Sequence, residues 1–319
     1  VLGYSQVSSI CTIPSGFFVQ HLHQLVREIG PIRPRIRIFS PQNRFFRRTT
    51  YEHTFFRADY MYIFHRPEVP AMLHRHPTAS ALAMEHFGFS APVDTEPCTE
   101  TDFHGLSCRS QHTPFGSYMT LCTGDCTLWT GRLRHTILEG IAAMLCRIAP
   151  ARDGCTLVCG IGNRDLTADA LGPLVCSNLS SALSSDRMCL LVPDVTAKTG
   201  LPTVSLVRAA AEICHAKQII AGDALSAKSR ETLGQVIQFS GDAITPGSGT
   251  GIVTEEISRR TMPCPVCTIG VPTVIRASVL CGTLPEQEEL LVTAGSVDHM
   301  VKRYAQVLAG GILRYMLHG

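Results

Sequence analysis

Residues 156–173 read Thr-Leu-Val-Cys-Gly-Ile-Gly-Asn-Arg-Asp-Leu-Thr-Ala-Asp-Ala-Leu-Gly-Pro. A short apolar run passes into a Gly and Asn turn and then into a loop carrying Asp165 and Asp169. This is the pattern of a buried strand that presents functional groups at its C-terminal end. The glycines at 160 and 162 permit backbone angles and close approaches that a Cβ would forbid. The arrangement recurs at 218–230, Gln-Ile-Ile-Ala-Gly-Asp-Ala-Leu-Ser-Ala-Lys-Ser-Arg, where an apolar run meets Gly222 and Asp223. Two parallel strands that each deliver an aspartate to one sheet edge make a carboxylate pair.

Outward from these two strands the chain alternates short apolar runs with helical patterns, which predicts an α/β fold with a mostly parallel sheet covered on both faces. Strands are expected at 116–122, 156–159, 189–192, 218–221 and 266–271, the last closed by Pro272. Leu133–Ala149 has apolar residues at helical spacing and stops at Pro150. Helices are also expected over 171–184, with Pro173 in the first turn, and over 204–216. A long C-terminal helix at 297–317 should break at Gly310 and Gly311, and 273–280 reads as a helix start or a further strand. The Pro, Ser and Thr-rich segment 88–114 reads as a loop or linker. We therefore expect an irregular N-terminal extension over 1–100 and an α/β domain over 101–319.

At 319 residues and 45% apolar content the chain can bury a large core, and a net charge of +2 gives no nucleic-acid signal. Residues 1–76 nonetheless hold ten Arg, no Lys and four acidic residues. Arginines interleave there with aromatics at 44–48 and 55–57, either as a stacking and phosphate-binding surface or as a solvated extension docked by its rings. Within it, 17–29 suggests a helix and 33–38 a strand. Fourteen Cys in a chain this long, many inside apolar runs, read as free thiols in a reducing cytoplasm rather than as a disulfide scaffold. No leader pattern and no apolar run of membrane-spanning length is found, so no membrane association is expected.

Paired aspartates share a proton, because one charge raises the pKa of the other. That suits hydrolysis of an amide by an activated water without a covalent intermediate. Asp169 and Asp223 are the catalytic candidates, and Asp165 is a weaker third; each has the alternative of capping a helix or bonding a turn. Lys228 and Arg230, following Asp223, would hold a substrate carboxylate or an oxyanion, or else face solvent, and Lys198 has the same two readings. Asn163 and Asp194 are supporting candidates. The loop at 245–251 brings Gly247, Ser248 and Gly249 together as a cradle of backbone N–H groups, but no Gly-Lys-Ser/Thr follows, so neither ATP nor NAD is implied. His74 and His76, and Cys264 and Cys267, have ligand-like spacing without the further partners a zinc site needs, so neither a metal nor any other cofactor is assigned.

The stretch 160–173 closely resembles the signature of the germination protease family, the spore endopeptidases that degrade small acid-soluble spore proteins. Gly-Asp-Ala-Leu-Ser-Ala-Lys-Ser-Arg (222–230), Ile-Gln-Phe-Ser-Gly-Asp-Ala-Ile-Thr-Pro-Gly-Ser-Gly-Thr-Gly (237–251) and Ile-Gly-Val-Pro-Thr-Val (269–274) follow in the family's order. The resemblance, over roughly 112–318, implies an aspartate-dependent endopeptidase with its catalytic pair on Asp169 and Asp223. It also implies a three-layer α/β/α sandwich related to the hydrogenase maturation endopeptidases, hydrolase-like in layout. The family is further characterised by a zymogen shortened at its N-terminus, a homotetramer and the spore core of an endospore-forming bacterium. Its substrates are the small acid-soluble spore proteins, and direct nucleic-acid binding is not expected. This chain has Ala168 where the family usually has Pro, and Asp194 where it has Gly, which adds a carboxylate near the pair. Two alternatives stand beside this reading. One is a metal-dependent maturation peptidase or amidase using Asp165, Asp169 or Asp194 with a histidine such as His215; the other is a non-catalytic, nucleic-acid-associated protein bound through its N-terminal region.

Overall fold

The segment quoted first forms an inner strand of the main sheet, one place in from its edge: β7 (Thr156–Gly160) is buried along its whole length and lies between the edge strand β8 (Met188–Leu191) and β9 (Gln218–Ala227), parallel to both. A strand buried on both faces has no polar side to alternate with, which is why it reads as a continuous apolar run. The computed structural model describes residues 98–113, 116–150, 153–182, 187–241, 243–244, 246, 255–281 and 290–318. It also describes three short strands, β1 (Pro34–Ile36), β2 (Asp59–Met61) and β3 (Ile63–His65). The helix expected at 17–29, the arginine and aromatic cluster at 44–57, His74, His76 and the cradle at 247–249 lie outside the described residues.

The main sheet continues from β9 into parallel β13 (Val266–Arg276) and then turns antiparallel. There β10 (Val236–Ser240), β6 (Gly116–Cys122), β5 (Leu106–Thr113) and β4 (Thr99–Phe103) complete one side. β14 (Leu290–Val292) adds antiparallel to β13 and carries β3 beyond it. A separate small pair is formed by β11 (Ala243–Ile244) and β12 (Ile257–Ser258).

The period-2 alternation of side chains divides the core in two. Val158, Ile220, Cys267 and Ile269 face α1 (Gly131–Ile148), α2 (Leu171–Leu179) and α6 (Val297–His318). Leu157, Cys159, Ile219, Ala221 and Val266 face the other way, against Val204, Val207 and Ala211 of α4 (Thr203–Ile213). Two shorter helices, α3 (Thr196–Thr199) and α5 (Ala277–Cys281), complete the set of described α-helices. The result is the expected three-layer α/β/α sandwich on a mixed sheet. Among the described residues no helix is long and apolar enough to cross a membrane.

Three elements depart from their sequence reading. The segment read as a linker contains the hairpin β4–β5, turned by His104 and Gly105 at φ 51° and 88°. Two consecutive positive φ values are those of a primed turn, and the hairpin's apolar stripe is short, Leu106 and Cys108 with Phe103 beside them, so the Ser and Thr around it hid the strands. β13 runs on through Pro272 to Arg276, because a register shift between Pro272 and Val274 absorbs the missing donor. Finally, α6 is unbroken at Gly310 and Gly311. A Cβ on Gly310 would lie 2.6 Å from Leu138 Cδ2, and one on Gly311 would lie 2.4 Å from Ile141 Cγ2, so the glycines let α6 press against α1. Below that contact Trp129 stands edge-on to Tyr304 at 4.9 Å, and its Nε1 donates to Thr123 O at 2.9 Å.

Candidate active site

β7 ends at Gly160, and its partner β9 continues alone with β13, so Asp223 sits one residue beyond the end of the β7 ladder. Ile161 N–H still donates to Gly222 O at 2.8 Å, after which Gly162 turns the chain at φ 120°. A Cβ at Gly162 would meet Asp169 O at 2.0 Å, so only glycine lets the following loop fold back beneath it. The loop is wound by its own hydrogen bonds: Leu166 N–H to Asn163 O, Asp169 N–H to Leu166 O, and Asp165 N–H to Asn163 Oδ1. Asp169 closes a single 3-10 turn, Thr167–Asp169, two residues ahead of α2.

Helix α2 then docks on the strands through glycine. A Cβ on Gly172 would come within 2.3 Å of Ile161 O and 2.4 Å of Gly222 O, and one on Gly160 within 2.2 Å of Gly172 O. This close approach fixes the start of α2, and Asp169 with it, over the strand that carries Asp223. From below, Thr273 on β13 donates to Ala168 O at 2.6 Å, and Thr293 donates in turn to Thr273 O.

The electrostatics follow from this placement. Asp223 is buried, and that desolvation raises its pKa well above the ordinary carboxylate value, with the Asp169 charge adding to it and the Ala224 N–H at 2.8 Å opposing it. Burial likewise lifts Asp169 from 3.8 to about 6; the Asn163 N–H, 2.7 Å from Oδ2, lowers it, and the Asp194 charge raises it. Asp194, at φ 60°, accepts Val195 N–H on Oδ1 at 2.8 Å and Lys198 Nζ on Oδ2 at 3.1 Å. Lys198 also bridges to Asp165 at 2.6 Å, and hydrogen bonds first to Asp165 and then to Asp194 raise its pKa.

Among the sequence candidates, then, Asp169, Asp223, Asn163 and Asp194 are linked by hydrogen bonds or by charge, and Lys198 and Asp165 form an exposed ion-paired rim around Asp194. Lys228 lies five residues past Asp223 along β9, about 16 Å at the rise of a strand, and Arg230 is exposed farther on. Sequence reasoning missed Thr273. Its only signal was a hydroxyl directly following Pro272 in a mostly apolar strand.

For metal binding, Cys264 is half-buried against the α4 core, and Cys267 is fully buried, with a thiol pushed by burial up to about 12. Among the described residues, the one group of three or more His, Cys, Asp or Glu with converging ligand atoms is Cys155, Cys189 and Cys214, whose sulfurs all lie within 4.8 Å of one another. Burial first, and then Cys189, push the Cys155 thiol up to about 12.

The protein-family model described as "Germination protease" matches residues 113–284. Germination proteases of Bacillus velezensis (30% identical over 187 residues, 55% of this chain and 48% of that protein) and Geobacillus sp. strain WCH70 (31% over 212 residues, 61% and 54%) are similar to it. So is that of Clostridium perfringens strain SM101 (28% over 185 residues, 54% and 57%). The chain spans about half the length of the curated relatives it matches. Among solved structures, the crystal structure of a [NiFe] hydrogenase maturation protease HycI from Thermococcus kodakarensis KOD1 aligns at 16% identity and a TM-score of 0.34. That alignment covers 51% of this chain and 92% of the other, a likeness from which nothing further follows.

Proposed function

The chain belongs to the germination protease family, and on that premise we propose that it is an endopeptidase that hydrolyses peptide bonds with a water activated between Asp169 and Asp223. The observation that carries this reading is the pair itself: two carboxylates from separate elements, both with raised pKa values, with Asp169 adding to the shift on Asp223. Asp169, at about 6, is the ionised member at neutral pH, while the more deeply buried Asp223 keeps its proton. Asp169 takes a proton from the attacking water, and Asp223 gives its proton to the carbonyl oxygen as the C–O bond forms. Collapse of the tetrahedral intermediate breaks the C–N bond as the proton on Asp169 passes to the leaving nitrogen, and a hydroxyl proton of the intermediate returns to Asp223. Each carboxylate accepts one backbone N–H, so the shallower burial of Asp169 is what makes it the more acidic of the two.

We extend the proposal, on the strength of the family, to small acid-soluble spore proteins as substrates, a homotetramer, and the cytoplasm of the spore core. The test is cleavage of a purified small acid-soluble spore protein by Asp169→Asn and Asp223→Asn, with folding followed by circular dichroism. Loss of cleavage in folded variants is expected, and full activity in both would reject the pair.

A second reading has its own supporting observation. The Cys155, Cys189 and Cys214 cluster is the observation behind a metal-dependent peptidase or amidase on this fold, in which the chemistry would lie at the thiol end of the sheet and not at Asp169 and Asp223. Stoichiometric metal together with activity that a chelator abolishes would support it; full activity in metal-free protein would rule it out.

A further inference from the structure

Three cysteines far apart in the chain converge at the end of the sheet opposite the aspartates. Cys155 immediately precedes β7, Cys189 is the second residue of β8, and Cys214 caps the C-terminus of α4 just ahead of β9. Each belongs to the turn or strand start that enters one of three adjacent parallel strands. Period-2 alternation puts residues 155, 157 and 159 on one side of β7, the side on which Leu157 and Cys159 pack against α4. Cys189 and Cys214 pack against that same cluster, so the three side chains share a face as well as an edge. The Lys217 N–H donates to Cys155 O at 2.8 Å and pins the α4–β9 turn beside the β7 entry.

We propose that Cys155, Cys189 and Cys214 form a site for a thiophilic cation, zinc(II) or copper(I), that ties the entries of β7, β8 and β9 together. Metal–sulfur bonds of about 2.3 Å in tetrahedral geometry place sulfurs about 3.8 Å apart, and side-chain adjustments of about 1 Å bring sulfurs within 4.8 Å to that spacing. Thiolates select these ions over the harder magnesium and calcium. All three residues are half-buried, which holds the ligands in fixed directions and leaves a fourth coordination position open to water. The C-terminus of α4, where Cys214 sits, carries the negative end of the helix dipole, which favours a cation and disfavours bare thiolates. From Cys155 to Gly160, the length of β7, is about 16 Å. A cation here does not reach Asp169 or Asp223, so the site stands whether the reaction uses the aspartate pair or not.

The test uses the full chain purified under reducing conditions, with zinc(II) and, separately, copper(I) titrated in competition with a chromophoric chelator. One tightly held equivalent of either ion is expected in the wild type. Each of Cys155→Ser, Cys189→Ser and Cys214→Ser should lower the affinity about tenfold or more, since losing a ligand costs at least what losing a ligand's orienting partner does. Cys146→Ser, at an exposed thiol on α1, should leave it unchanged. Against the chance that a serine variant folds poorly, alkylation of the wild type mapped by mass spectrometry gives an independent readout: the metal should protect these three thiols selectively. Absence of a tight equivalent, its retention in all three variants, a native disulfide within the trio, or equal alkylation with and without metal would each overturn the site.

Discussion

Replacing Asp169 by Asn should remove cleavage and at the same time make the protein more stable at neutral pH. Folding lifts the Asp169 pKa from 3.8 to about 6, chiefly by burial. At about 1.4 kcal/mol per pKa unit, holding it ionised in the folded state costs about 3 kcal/mol, an upper figure because the residue is half-buried. The sign follows from proton counting. Between about pH 4 and 6 the folded state binds more protons than the unfolded state, so wild-type stability falls as pH rises through that window and levels off above it. Below about pH 4 both states are protonated and the penalty is absent. The amide introduced by Asp169→Asn is neutral throughout and still accepts the Asn163 N–H through its carbonyl oxygen, a bond whose pull on the carboxylate is already contained in the net shift. Discounted for partial exposure, the expectation is a gain of about 1–2 kcal/mol at pH 8 and little or no gain at pH 4. Urea unfolding followed by fluorescence of Trp129, the chain's one tryptophan and buried against Tyr304, measures both. A loss of stability at pH 8, or the same change at both pH values, would mean that Asp169 is an ordinary turn or cap carboxylate and that the reasoning about the pair is wrong.

Thr273→Val should strip the Ala168 carbonyl of its buried donor, destabilising by about 1–3 kcal/mol, and should lower kcat more than it raises KM, while Thr273→Ser restores both. Gly162→Ala, with a Cβ 2.0 Å from Asp169 O and φ of 120°, should cost about 1–3 kcal/mol and cleavage together; wild-type turnover would show that the loop accommodates it freely. Lys198→Ala leaves Asp194 unneutralised beside Asp169, so the acid limb of the kcat/KM profile should move to higher pH; a shift the other way would separate Asp194 from the pair. Gly311→Ala should push α6 off Ile141 and lower the urea midpoint, with a cost of about 1–3 kcal/mol, and Ile141→Ala in the same chain should recover part of it.

What could be read from the sequence divides along the range of the forces involved. The β7 and β9 strands and the residues after them are legible because both faces are apolar and the break in pattern is abrupt, so Asp169 and Asp223 stand out by position alone. The continuation of β9 to Ala227 was hidden, because its polar residues are tolerable only where β13 supplies a parallel partner from fifty residues away. Gly310 and Gly311 look like helix breakers in one dimension; as the seat for Leu138 and Ile141 they preserve the helix, since the contact with α1 outweighs their low intrinsic propensity. The same reasoning separates the two candidate sites. An aspartate after a buried strand signals itself locally, whereas Cys155, Cys189 and Cys214 each look like a small apolar residue in an apolar run and become a cluster only once three parallel strands are placed side by side. Parallel strands all enter at one edge and leave at the other, so a chain of this topology gathers its residues at two opposite edges. Glycine-turned exits hold the aspartates at one edge, and the strand entries bring the thiols together at the other, which is why the chemistry proposed for the first and the binding proposed for the second can be tested independently.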